Sequence, residues 1–192
     1  MLEQIKKIRQ QTGAGMVDVK KALDEAGNDE KKAIEILRKK GQSKAVKKAD
    51  RLAKEGVIGS YIHSNQKIGA IVKVYCETDF VARNEEFQNL AKDIAMHISA
   101  MDPQVLNPED VSEKLVKKEK EIWKEQMKEE KKPQEIMEKI MEGKEKKFRE
   151  EISLMTQSFV KNPDLTIQEL VTEKIGKIGE NIKIGEFSRF EL

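Results

Sequence analysis

Apolar residues recur every three or four positions through the first forty residues: Leu2, Ile5 and Ile8, then Met16, Val19, Ala22, Leu23 and Ala26, then Ala33, Ile34 and Leu37. That spacing predicts three short amphipathic helices. The breaks between them carry turn chemistry. Thr12-Gly13-Ala14-Gly15 supplies two glycines free to take positive φ, and Gly27-Asn28-Asp29 offers a C-cap glycine followed by an N-cap. Beyond Gly41, residues Ser43 to Lys54 read as a basic helix or helical linker into a new domain. The pattern then changes to runs rich in Val, Ile and Tyr on either side of Ser64-Asn65-Gln66, which predicts a β-hairpin over 56–76.

After Thr78-Asp79-Phe80-Val81-Ala82, a strand-to-helix link, Asn84 opens a helix over 84–101 with the stripe Phe87, Leu90, Ala91, Ile94, Ile98 and Met101. Asn107-Pro108 begins a charged helix over 108–132, with Leu115, Ile122, Trp123 and Met127 along its narrow stripe. Apolar residues within a dense Lys/Glu field then suggest a helical hairpin or short coiled coil over about 134–160. Thr166-Ile167-Gln168-Glu169 is a capping box, and the last twelve residues return to strand character, able to complete the hairpin as a third strand; helix and strand together span 166–192. The class is α+β and predominantly helical: a three-helix module with a basic linker over 1–54, then a core over 55–192 with a small antiparallel sheet of about three strands.

Composition narrows the function. Charged residues make up 38% and aromatics 5%, which suits exposed helices over a modest core better than a β-sandwich. The start of the chain lacks the apolar run of a secretory signal, no segment approaches the length of a membrane span, and the single Cys76 excludes an internal disulfide framework; the expectation is a cytoplasmic protein. Residues 1–54 hold fifteen basic against eight acidic side chains, although the whole chain carries only +2. A basic front end fits solvated helix faces, an acidic protein surface or nucleic acid.

Catalytic signatures are missing: no phosphate-binding glycine loop, no nucleophile elbow and no paired metal-ligating histidines. His63 and His97 read as surface or packing residues, and Cys76 as a buried inert thiol. Two motifs stand out. On pattern alone TGAGM is a tight helix-helix corner with Met16 in the core, and Phe80 is a ring tucked into the interior.

Taken together, IRQQTGAGMVDVKKALDEAGND, ETDFVARNEEF, AMHISAMDPQVLNPEDV and GKEKKFREEISLMTQSFVKNP resemble, in order and across nearly the whole chain, the bacterial elongation factor Ts family of nucleotide exchange factors. The resemblance implies a front module of ubiquitin-associated type that grips the nucleotide domain of elongation factor Tu, with no enzymatic activity, no cofactor and no direct nucleic-acid or membrane contact. It assigns Thr78, Asp79, Phe80 and Val81 to dislodging the partner's Mg²⁺. It assigns partner binding to Arg9, Thr12, Gly13, Ala14, Gly15, Met16, Val17, Asp18 and Lys20, together with Asn84 and His97. Longer family members carry two related halves in the core, whereas TDFVARNEEFQNLAKDIAMHI joins the first half's motif directly to second-half sequence. One short sheet with an exposed edge then implies a homodimer. The alternative function is a ribosome- or RNA-associated basic helical protein, whose affinity falls steeply with salt.

Overall fold

The computed structural model describes residues 2–12, 14–127 and 134–192. The order is α1 (Leu2–Thr12), α2 (Met16–Glu25), α3 (Glu30–Val46), β1 (Glu55–Ile62), β2 (Ile68–Cys76), α4 (Asp79–Ala82), α5 (Glu85–Met101), α6 (Glu113–Met127), α7 (Gln134–Glu151), β3 (Ser158–Phe159), β4 (Asn162–Thr166), α8 (Ile167–Ile178) and β5 (Lys183–Glu191). The architecture is the expected α+β class dominated by helix.

The three front helices close around Ile5, Ile8, Val19, Ala22, Leu23, Ala33 and Leu37, a cluster separate from the main core. Gly27 and Asn28 take left-handed φ values of 62° and 66°, and Asp29 then caps α3 by accepting from the Lys31 and Lys32 amides. Gly15 departs from its predicted role: its backbone is extended, with φ −63°, and it stands at the N-cap of α2. Gly13, the other glycine of that turn, lies outside the described residues. Gly41 does not end α3 either. It lies inside the helix where α3 crosses α8, and a Cβ on Gly176 would sit 3.7 Å from the Gly41 Cα, so the paired glycines permit a close crossing. The predicted basic helix over 43–54 is therefore the end of α3 followed by turns and extended chain.

In the main core, β1 and β2 pair antiparallel, and β5 pairs antiparallel on the far side of β2, giving the order β1-β2-β5. Period-two alternation sends Ala70, Val72, Val74 and Cys76 to one face, where α5 covers them with Phe87, Leu90, Ala91, Ile94 and Ile98. Leu154, Ile167, Val171 and Ile175 close the same cluster. Thr166 and Glu169 form the predicted capping box at the start of α8.

Two predicted helices are corrected. Pro108–Asp110 is a 3-10 turn capped by Asn107, and α6 begins at Glu113, because the Asn107–Asp110 box closes on itself at once. Of the predicted α6 stripe Met127 is buried, together with Val116, which precedes it by eleven residues on the same face, while Leu115 and Ile122 are exposed. Residues 128–133 lie outside the description. The second arm ends at Glu151, before the predicted 160; Ser153 folds its hydroxyl onto the Arg149 carbonyl at 2.6 Å, and a two-stranded hairpin, β3-β4, follows. Trp123 meets Phe148 edge-on at 5.8 Å between the arms, and Arg149 joins α7 to Glu113 at 2.6 Å.

Candidate functional site

Residues 78–82 form one turn of helix between the end of β2 and α5. Thr78 begins it, its hydroxyl accepting from the Val81 amide at 3.3 Å. Val81 and Ala82 are buried and anchor the turn on the core, while Phe80 points away with 79% of its surface exposed. The interior position that pattern alone gave Phe80 is thus wrong. A four-residue helix has only one face to bury, and Val81-Ala82 occupies it. Asp79 lies beside the ring and pairs with Arg83 at 3.1 Å.

The base of the turn is tied from behind. Cys76, fully buried, donates its Sγ–H to the Thr78 carbonyl at 3.2 Å. Burial pushes its thiol up to about 11, helped by the nearby Glu180 carboxylate, so it stays protonated and serves as a donor. Glu180 accepts from the backbone of Glu77 and Thr78.

The front candidates surround the α1–α2 turn. Thr12 folds its hydroxyl back to the Ile8 carbonyl at 2.7 Å and accepts from the Ala14 amide at 3.3 Å. Met16 and Val17 are 53% and 66% exposed at the start of α2, while Val19 behind them is fully buried. Met16 therefore lies outside the core, contrary to the corner reading. Arg9 and Lys20 are also exposed, and Asp18 is half-buried.

Asn84 caps α5, its side chain accepting from the Glu86 amide at 2.8 Å, and remains exposed. His97 is placed differently from the expectation of direct contact: it is fully buried on α5. Its Nε2 meets the Gln157 side-chain oxygen at 3.0 Å and its Nδ1 accepts from the Val160 amide at 3.2 Å, so it braces the β3 segment from within. Sequence reasoning gave no role to Glu77, Glu180 and Asn181; the one local signal for the last two is Gly179, left-handed at φ 90°, which ends α8 just before them.

The structure thus exposes a ring on a hydrogen-bonded turn of the core and an apolar pair at a helix start of the front helices. Comparison with known sequences gives the family. The family model described as Elongation factor TS matches residues 2–192. An elongation factor Ts of Carboxydothermus hydrogenoformans is 52% identical over 99% of this chain and 88% of its own length. One from Thermodesulfovibrio yellowstonii is 54% identical over 99% of this chain and 94% of its own, and one from Thermosipho melanesiensis 52% identical over 98% and 96%. The chain belongs to the elongation factor Ts family. The chain spans 88%, 94% and 96% of the length of these three relatives.

Proposed function

We propose that this protein acts as a guanine nucleotide exchange factor in translation elongation, binding elongation factor Tu in its GDP-bound form and promoting GDP release in the cytoplasm. The front module supplies the grip through Met16, Val17 and the surrounding Arg9, Thr12, Asp18 and Lys20. Thr78–Val81 supplies a wedge: Phe80 inserts beside the partner's Mg²⁺ site, with Asp79 adjacent. GDP is held by backbone donors around its phosphates and by Mg²⁺, which neutralises phosphate charge, so displacing the ion weakens the site without any covalent step. Factor and nucleotide then weaken each other's binding by the same factor, and rebinding of GTP expels the protein.

The observation that carries this reading is the 79% exposure of Phe80 on a turn whose neighbours are buried. What supports the reading is that the exposed ring stands on a turn anchored to the core through Val81 and Ala82 and capped by Thr78, so it is presented in a fixed place. Stopped-flow release of fluorescent GDP from elongation factor Tu tests it. Phe80→Ala removes no core contact, so the fold is retained and the expected loss is about tenfold or more in release rate, worth at least about 1.4 kcal/mol of differential binding. A wild-type release rate for the variant removes the wedge.

The protein further functions as a homodimer through the outer face of the sheet. Ile58, Ile62, Ile71 and Phe190 are exposed there, on the side away from α5. The register sets Ile62 and Phe190 on either side of Gly69, and a second copy of this apolar face is its self-complementary cover.

A further inference from the structure

The turn after α8 grips two segments that lie far upstream. Glu180 reaches the end of β2: its Oε2 accepts from the Glu77 amide at 3.0 Å and the Thr78 amide at 3.1 Å, and its Oε1 accepts from the Thr78 hydroxyl at 2.7 Å. That same hydroxyl caps the Val81 amide, so one carboxylate fixes the first turn of α4. Asn181, 2% exposed, donates through Nδ2 to the Ala49 carbonyl at 3.2 Å and the Arg51 carbonyl at 2.8 Å, the chain that leaves the front helices. Its amide donates to the Glu77 Oε1 at 2.6 Å, and the Arg51 guanidinium lies 3.6 Å from that oxygen. Lys48 Nζ also donates to the Gly179 carbonyl.

A connection between a helix and a strand does not need this many bonds. Gly179 already ends α8, and β5 begins only at Lys183. The additional bonds go to the base of the wedge and to the linker of the module that grips. We propose that Glu180 and Asn181 are positioning residues that hold Thr78–Val81 and the front module in one fixed relation, so that gripping the partner drives Phe80 into place. This rests on the reading of Thr78–Val81 as the wedge. Two contact areas joined by a tether reinforce each other even when it is flexible, but a rigid tie also holds the second contact in its productive geometry. With the tie cut, the front module still docks, but the ring is no longer pressed home. The loss therefore falls on the release rate at saturating factor and not on the concentration needed for half-saturation.

The test is stopped-flow release of fluorescent GDP from elongation factor Tu across a range of factor concentrations, with wild type, Phe80→Ala, Glu180→Ala, Glu180→Gln and Asn181→Asp, each checked for folding by circular dichroism. Glu180→Ala is expected to lower the saturating rate about tenfold, with half-saturation moved less than about threefold. Glu180→Gln, which keeps the length and one acceptor oxygen, restores most of the rate. Asn181→Asp, which sets a carboxylate against two carbonyls, behaves like Glu180→Ala. If Phe80→Ala is slow but Glu180→Ala releases at the wild-type saturating rate, the positioning role is overturned while the wedge stands. A Glu180→Ala defect confined to half-saturation overturns it too. If Phe80→Ala itself is fast, the wedge reading fails and the proposal falls with it. Should Glu180→Ala not fold, Glu180→Asp, a methylene too short to reach all three donors, takes its place. Slower release with faster amide exchange at Thr78 then supports the tie, and wild-type release overturns it.

Discussion

Phe80 and Phe87 stand two helical turns apart in sequence and meet opposite fates, the first 79% exposed and the second fully buried against the sheet. Their identity alone does not separate them; what does is that Phe87 begins a stripe repeated through Ile94 and Ile98, while Phe80 belongs to no stripe. His97 also needed the structure. It occupies the buried face of α5 between positions that read as core, yet its polar nitrogens find Gln157 and Val160 only because the β3 segment folds back across the helix. Burial lowers its pKa from the ordinary 6.5, partly offset by the Gln157 bond, and a second proton would meet the Val160 N–H donor at Nδ1. The unfolded chain then binds more protons than the folded one, so stability rises with pH through this window. The contribution is complete above about 6.5 and is lost as pH falls from there toward the depressed folded value. Glu173, whose carboxyl is raised by burial, works in the opposite sense, so the comparison needs a variant. Urea unfolding at pH 7.5 and 5.5 is expected to show the wild type weakened at the lower pH and His97→Gln weakened less between the same two points.

At the scale of elements, the sequence was most readable where a cap and a period agreed. Asn84 with the α5 stripe, and Thr166-Glu169 with α8, appear where expected. Reading was least reliable where a local motif stood beside the element and not in it: the Asn107–Asp110 box caps a 3-10 turn, and Gly41, beyond which a new segment was expected, lies inside α3 where it meets Gly176 of α8. Gly59 belongs to the same group. A Cβ there would run into the backbone carbonyl of Ala91, so the missing side chain lets α5 approach β1. The atoms it would meet are backbone, which cannot swing aside as a side-chain end can. Gly59→Ala is therefore expected to push α5 off the sheet and destabilise the protein by about 1–3 kcal/mol, measured as a fall in urea midpoint with an unchanged slope. A neutral result would mean that α5 slides at no cost. Between α5 and α8, Glu86 is bound by Lys174 at 2.7 Å and Lys177 at 2.6 Å; burial opposes its charge, and the two ammonium groups together outweigh burial to hold its pKa low.

For the whole molecule, two separate apolar clusters form, and the front helices complete their own core and leave Met16 and Val17 outside it, as the proposed grip requires. Among the described residues, Ile58, Ile62, Ile71 and Phe190 on the outer face of the sheet stay exposed. The double substitution Ile62→Lys and Ile71→Lys puts charge on that face without touching the α5 side, so light scattering is expected to move from twice the 22.0 kDa chain mass to the chain mass itself, with helical content unchanged. A wild-type protein already at 22.0 kDa would refute the dimer. By itself the sequence determined the helices of the front module, the hairpin, the α5 stripe and the family to which TGAGM and TDFVA belong, since caps, periods and ordered motifs are local properties written in adjacent residues. Only the tertiary structure decided that Phe80 and Met16 face outward, that His97 faces in, and that Glu180 and Asn181 bind segments a hundred residues away. Burial and hydrogen-bond pairing depend on which distant surfaces meet, and no local pattern specifies that meeting.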